Sequence, residues 1–194
     1  ALKTAIMEMD IYSHPEEIRL EERQLSEKLG VSRTPIREAM TLLEQEGFVR
    51  SVPRRGIFVV RKTRAEIIEM ITVWAALESM AARLACERAS DTEIRMLREN
   101  VRAFANRDPE EFVSEYSEAN LAFHKQIIRM SGCRLIAETT ENLFPHMRGV
   151  RKVTIGQDHR AQRSIVDHTR IVEAIEKRNA DVAERLVREH TMGL

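Results

Sequence analysis

Apolar residues recur at helical spacing along most of the chain, change to alternation over one short stretch near residue 50, and return to helical spacing up to the end. Leu2, Ala5, Ile6 and Met9 fall on one face of a short helix that precedes a turn at Ser13-His14-Pro15. A second short helix over residues 20–29 is stopped by Gly30. A third starts at Ser32, whose hydroxyl suits the first free N–H groups, with Pro35 in the first turn, where a missing N–H costs nothing. In that helix Ile36, Met40 and Leu43 point to a core, while Arg33 and Arg37, four apart, share another face. After Gly47 the period becomes two: residues 48–52, a Pro53-Arg54-Arg55-Gly56 turn and residues 57–60 read as a β-hairpin with a basic tip.

From Thr63 onward the period is helical throughout. Thr63 with Glu66, and Ser90 with Glu93, form capping boxes, and the run Ile67, Ile71, Trp74, Ala75, Glu78, Ala82, Ala85 carries one long helix to about residue 89. Its successor ends near residue 106. Asp108-Pro109-Glu110-Glu111 starts a helix that Ser131-Gly132 closes, another spans residues 134–153, and the chain breaks around Gly156. Two last helices, at about residues 158–177 and 181–191, make a hairpin with Asn179 as cap. The fold class is therefore mainly α: an N-terminal winged helix-turn-helix over residues 1–62, then an all-α antiparallel bundle of about six or seven helices over residues 63–194.

Charge sharpens the reading of the first part. The sequence of 194 residues has 31 Lys plus Arg against 31 Asp plus Glu, so the basic winged helix is a local feature and not part of a polycation. Arginine can grip guanine O6 and N7 with two bonds, and Ser or Thr hydroxyls at a helix start suit phosphates, so a helix-turn-helix with this edge points to double-stranded DNA. Cys86 and Cys133 form no CxxC pattern, which argues against a disulfide framework or a thiolate metal site and for a reduced, cytoplasmic setting. No apolar run approaches a membrane span, and the first residues lack a signal-peptide core; the missing initiator Met reads as a trimmed or incomplete start.

Chemistry in the second part gathers on histidines. His124 shares a stripe with Leu121, Ile127 and Ile128, and Asn120 stands one turn before it; His168 lies with Ile171, Val172 and Ile175, and His190 with Ala183, Leu186 and Val187. His168 is eleven residues before Asn179 (179 − 168) and His190 eleven after it (190 − 179), so the hairpin sets both at one level. Three imidazoles on apolar faces need partners, and a divalent metal would serve all three.

The stretch Glu22-Arg23 to Leu25, Gly30-Val31-Ser32-Arg33-Thr34-Pro35, Arg37-Glu38-Ala39, Leu43, Glu46-Gly47 and Arg55-Gly56 closely resembles the winged-helix domain of GntR-family transcription regulators. The resemblance implies that Arg23, Ser32, Arg33, Thr34 and Arg37 contact operator phosphates and base edges and that Gly56 lets the wing approach the minor groove, while the doubly basic tip, Arg54 and Arg55, suits phosphates. The later stretch, carried by Leu77-Glu78, Ala81-Ala82, Leu121, Phe123-His124, Ser131-Gly132, His168, Ala174-Ile175, Ala183 and His190, resembles the FCD effector-binding domain of the FadR subfamily. In metal-binding members an Asp four before the first His joins three His; here Asn120 takes its place beside His124, His168 and His190, with zinc, nickel or manganese as candidate ions. Trp74 stands where that family segment usually begins with Arg, so effector contact is expected at Trp74, His146 and Arg148.

These implications make the chain a ligand-responsive repressor, a homodimer on a palindromic operator, that binds a small carboxylate metabolite through its helical, dimerising domain and is not an enzyme. Two alternatives stand beside it: a metal-free regulator whose histidines hold the effector directly, and a metal-dependent hydrolase with Glu118, Glu141 or Glu173 as base.

Overall fold

The computed structural model describes residues 2–7, 9, 11–12, 16–105, 113–141, 143–154 and 159–194. It divides the chain into two units, Ala1–Thr63 and Arg64–Leu194. The predicted turn at His14, the helix start at Asp108-Pro109 and the break at Gly156 lie outside the described residues.

The first unit runs α1 (Leu2–Met7), β1 (Arg19–Leu20), α2 (Glu22–Leu29), α3 (Arg33–Gln45), β2 (Val49–Val52) and β3 (Gly56–Val59). Two details differ from the pattern-based reading. Leu20 does not open a helix: Arg19 and Leu20 pair antiparallel with Phe58 and Ile57, so the hairpin becomes a three-stranded sheet in the order β1-β3-β2. A two-residue strand is too short to show alternation, yet it covers one edge of β3 and sends Leu20 into the core. Ser32 sits at the N-cap in extended conformation, but its side chain makes no capping bond. The turn before it is held instead by Gly30, in the left-handed region at φ 66, and by the Ser26 hydroxyl, which donates to the Val31 carbonyl at 2.5 Å. Leu2, Ile6, Leu20, Ile36, Met40 and Phe48 belong to one core.

The second unit contains α4 (Arg64–Arg88), α5 (Asp91–Ala105), α6 (Val113–Met130), α7 (Arg134–Glu141), α8 (Phe144–Thr154), α9 (Arg160–Glu176) and α10 (Ala180–Met192). Helix α4 is its axis, packed on α6, α7, α9 and α10. The fully buried alanines Ala81, Ala82 and Ala85 of α4 and Ala183 of α10 give the two helices small surfaces on which to pack closely. The Ser90 capping box forms as read, with Ser90 N donating to Glu93 Oε2 at 2.8 Å and Glu93 N to Ser90 Oγ at 3.3 Å. Asn179 caps α10 by accepting from Val182 N at 3.3 Å.

The single helix expected over residues 134–153 is instead two, α7 and α8. Proline at 145 has no N–H for a continuous helix, but it is tolerated in the first turn of a new one. Among the described residues no helix is long and apolar enough to cross a membrane.

Candidate functional site

Three helices bring the predicted histidines together. His124 on α6, His168 on α9 and His190 on α10 each offer a ring nitrogen, and these atoms lie within 4.8 Å of one another. His124 and His168 are buried, at 1% and 3% exposure. The mirrored register about Asn179 is realised in the Nε2 atoms of His168 and His190, which stand 3.2 Å apart. Phe123 stacks on the His168 ring, with centroids 3.9 Å apart and planes 18° off parallel.

Two carboxylates orient the rings. Glu78, fully buried on α4, contacts His124 Nδ1 with one oxygen and accepts from Thr191 Oγ1 at 3.1 Å with the other. Asp167 Oδ2 lies 3.1 Å from His190 Nδ1. With Nδ1 as the donor in both pairs, each Nε2 keeps its lone pair, which is the arrangement that metal-ligating histidines use. Neither role was found from the sequence. Glu78 gave a partial signal, a charged residue on an otherwise apolar stripe, and Asp167 gave only its adjacency to His168.

Asn120 lies in the same interior at 1% exposure. Its Nδ2 donates to Ser164 Oγ at 2.8 Å, and Ser164 Oγ lies 3.5 Å from His168 Nε2. Asn120 Oδ1 is buried with no hydrogen-bond partner, a state that costs about 1–3 kcal/mol. Three imidazoles, two held by carboxylates, and a neutral oxygen in want of a positive partner are a donor set that a divalent cation fits.

The proposed effector residues are placed differently. Trp74 is fully buried and meets His124 edge-on at 5.1 Å and Phe144 at 5.6 Å, so it walls the cluster with an apolar ring. His146 is buried, at 7% exposure. Arg148 carries no spare charge, because Glu118 holds it at 2.6 Å. That pair also occupies Glu118, one of the carboxylates considered as a hydrolytic base.

In the first unit, Ser32, Arg33, Thr34 and Arg37 are all exposed along the start of α3. Arg37 is tethered, its Nε 2.8 Å from Glu22 Oε2, and Arg23 reaches Glu27 at 3.4 Å. At the hairpin tip Arg55 N donates to Val52 O at 3.0 Å, and Arg54, the third residue of that turn, has φ 63. This is the pattern of a type II turn, with Pro53 at the second position and an arginine where glycine is favoured. Arg50 and Arg55 both stand over the Phe58 ring, at 5.4 and 5.6 Å. Gly56 has φ 110, and a Cβ there would come within 3.0 Å of Arg19 Nε. Arg19 and Arg50, not read from the sequence, also lie at the wing, where Glu17 pairs with Arg50 and stands 3.9 Å from Arg55.

Comparison with known proteins agrees with both units. The model described as the FCD domain matches residues 69–192, and that of the bacterial regulatory proteins, gntR family, matches residues 4–59. An uncharacterized HTH-type transcriptional regulator of Bacillus subtilis, YdhC, is 30% identical over 89% of this chain and 77% of its own. The HTH-type transcriptional repressor RspR of Escherichia coli is 26% identical over 88% of this chain and 75% of its own. Among solved structures, E. coli McbR/YncC superposes with a TM-score of 0.80 at 20% identity, covering 98% of this chain and 91% of that one, a likeness of fold.

Proposed function

The chain belongs to the GntR family of bacterial regulatory proteins and carries an FCD domain, a family of DNA-binding transcription regulators and not of enzymes, and we propose that its helical unit binds a small carboxylate metabolite at the histidine cluster and thereby controls operator binding. The observation that carries this reading is the convergence of His124, His168 and His190 within 4.8 Å, with Glu78 and Asp167 behind two of them.

His124, His168 and His190 would hold a divalent cation, with Asn120 as a neutral oxygen donor. Such an ion supplies a positive centre to which a carboxylate can bind. The protein groups do the rest: Glu78 and Asp167 fix the two rings, Ser164 holds the Asn120 amide, and Trp74 with Phe123 excludes water. Ligand contact at these residues bears on α4, α6, α9 and α10 together. Helix α4 begins at Arg64, directly after the last residue of the winged-helix unit, so a small displacement of α4 is passed along the backbone to the DNA-binding unit.

Operator contact falls to Arg23, Ser32, Arg33, Thr34 and Arg37 on α2 and α3, and to Arg54, Arg55 and Gly56 at the wing. In a homodimer two such surfaces meet major grooves about 34 Å apart on a palindromic site. The protein then works in the cytoplasm as a repressor that its ligand releases. In a metal-free form of this reading, the imidazoles of His168 and His190, 3.2 Å apart at Nε2, hold the metabolite directly. Operator titration with and without zinc, on metal-stripped protein, tests the proposal; operator affinity indifferent to every metal and carboxylate pairing would overturn it.

A further inference from the structure

The wing carries its own counter-ion. Val59 N donates to the Ile18 carbonyl at 2.9 Å, which fixes the chain just ahead of β1 against β3 and so places Glu17, one residue earlier, on the β1 side of the sheet. Its carboxylate reaches to the far side. One oxygen is bonded to Arg50 Nη2 on β2, and the other stands 3.9 Å from Arg55 Nη2 at the start of β3. Because the strand order is β1-β3-β2, the contact with Arg50 spans the middle strand. The two guanidinium groups, which already share the Phe58 ring, thus share one carboxylate as well.

Packing does not account for this arrangement. Glu17, Arg50 and Arg55 are all exposed, and an ion pair in that setting adds little to stability. Its consequence lies with DNA. A phosphate offers a guanidinium the same forked pairing that a carboxylate does, so Glu17 competes with the DNA backbone for Arg50 and Arg55. Arg54, in the turn between the two strands, has no carboxylate partner among the described residues and meets no such competition.

The competition falls unevenly on two kinds of DNA. Affinity for non-operator DNA comes from phosphate contacts, and there the protein settles in whichever register brings most basic groups to phosphates. On an operator the base contacts of α3 fix the register, and the wing meets only the phosphates that this register puts in reach. A carboxylate that weakens Arg50 and Arg55 as phosphate ligands therefore costs non-operator binding more than operator binding.

We propose that Glu17 is a specificity-determining residue of the DNA-binding unit: by occupying Arg50 and Arg55 it withholds the wing from phosphates that α3 has not aligned. The inference rests on the reading of the wing as a DNA contact, and it adds a residue that sharpens discrimination without itself holding DNA.

Fluorescence anisotropy titrations of the full chain, over a range of salt, provide the test with two labelled duplexes of equal length, one selected by the parent from a random pool and the other a scramble of its sequence. Glu17→Gln should bind the scrambled duplex about three- to tenfold more tightly and the selected one less than about twofold more tightly, with the salt slope on the scramble steeper by about one phosphate contact. The gain should vanish when Arg50→Gln and Arg55→Gln are also present, because Glu17 acts through those two side chains. An equal gain on both duplexes, or none on the scramble, overturns the proposal; so does a gain that persists without the two arginines, which would be a general charge effect. Scramble affinity unchanged by Arg50→Gln with Arg55→Gln alone would take the wing off the DNA and this inference with it. A loss in that pair beside an unresponsive Glu17→Gln overturns this inference and leaves the wing reading standing.

Discussion

Glu78 and His124 meet in the interior of the helical unit, a fully buried carboxylate against an imidazole Nδ1, joining α4 to α6. Breaking a buried charged pair by removing one partner costs far more than the pair contributes, so the variant of choice is one that keeps the shape. Glu78→Gln should lower cation affinity by about ten- to a hundredfold, the usual effect of losing a carboxylate behind a ligating histidine. Zinc competition against a chromogenic chelator measures this, and equal affinities for variant and parent would show that Glu78 serves only the core.

Arg33→Ala should weaken operator binding by about 1–3 kcal/mol if Arg33 reads a base, and leave the melting of the helical unit unchanged. Arg37→Ala should cost affinity too, and it also frees Glu22, which holds Arg37 at 2.8 Å. Gel-shift titrations at fixed salt decide it; unchanged affinity in both variants would remove α3 from the interface.

At the wing, stability and function should part. Arg54 has φ 63, a conformation that costs an L-residue roughly 1–2 kcal/mol, part of which a glycine gives back through its greater freedom in the unfolded chain. Arg54→Gly should therefore stabilise the winged-helix unit by up to about 1 kcal/mol, while operator affinity falls across sequences and its salt dependence flattens by the loss of one phosphate contact. A lower melting temperature for the variant would contradict the turn assignment.

The Ser90 box gives a pH test. Hydrogen bonds from Ser90 N and Oγ hold the Glu93 carboxyl below its ordinary range. A depressed carboxylate contributes stability above its unfolded-state pKa and loses it as pH falls through the lower folded value. Glu93→Gln should therefore melt lower than the parent at neutral pH, with the difference closing in acid. A gap that persists unchanged at low pH would mean that the box acts through shape alone.

Periodicity explains what the sequence made legible. The helix-turn-helix announces itself through Gly30, Ser32 and Pro35, and the level of His168 and His190 follows from counting out from Asn179, because a helical hairpin with a short turn leaves little freedom of register. The β1 strand escaped because two residues carry no period. The break between α7 and α8 was marked by Pro145, but the apolar spacing on either side ran through it as if unbroken. Glu78 and Asp167 could be seen as residues but not as partners, since α4 meets α6, and α9 meets α10, only once the bundle closes. Arg148 looked like an available cation for the same reason: Glu118 is 30 residues away in sequence and 2.6 Å away in space.

In the proposed site His124, His168 and His190 bind a divalent ion with Asn120 in its ligand set. Calorimetric titration of metal-stripped protein with zinc, nickel and manganese, run in parallel on Asn120→Asp and His168→Ala, tests it most directly. A carboxylate at position 120 would offset part of the ion's charge, so Asn120→Asp should bind more tightly than the parent and His168→Ala far more weakly, with melting temperature following by mass action. No heat and no melting shift with any of the three ions in the parent, together with an Asn120→Asp variant that behaves identically, would contradict the claim.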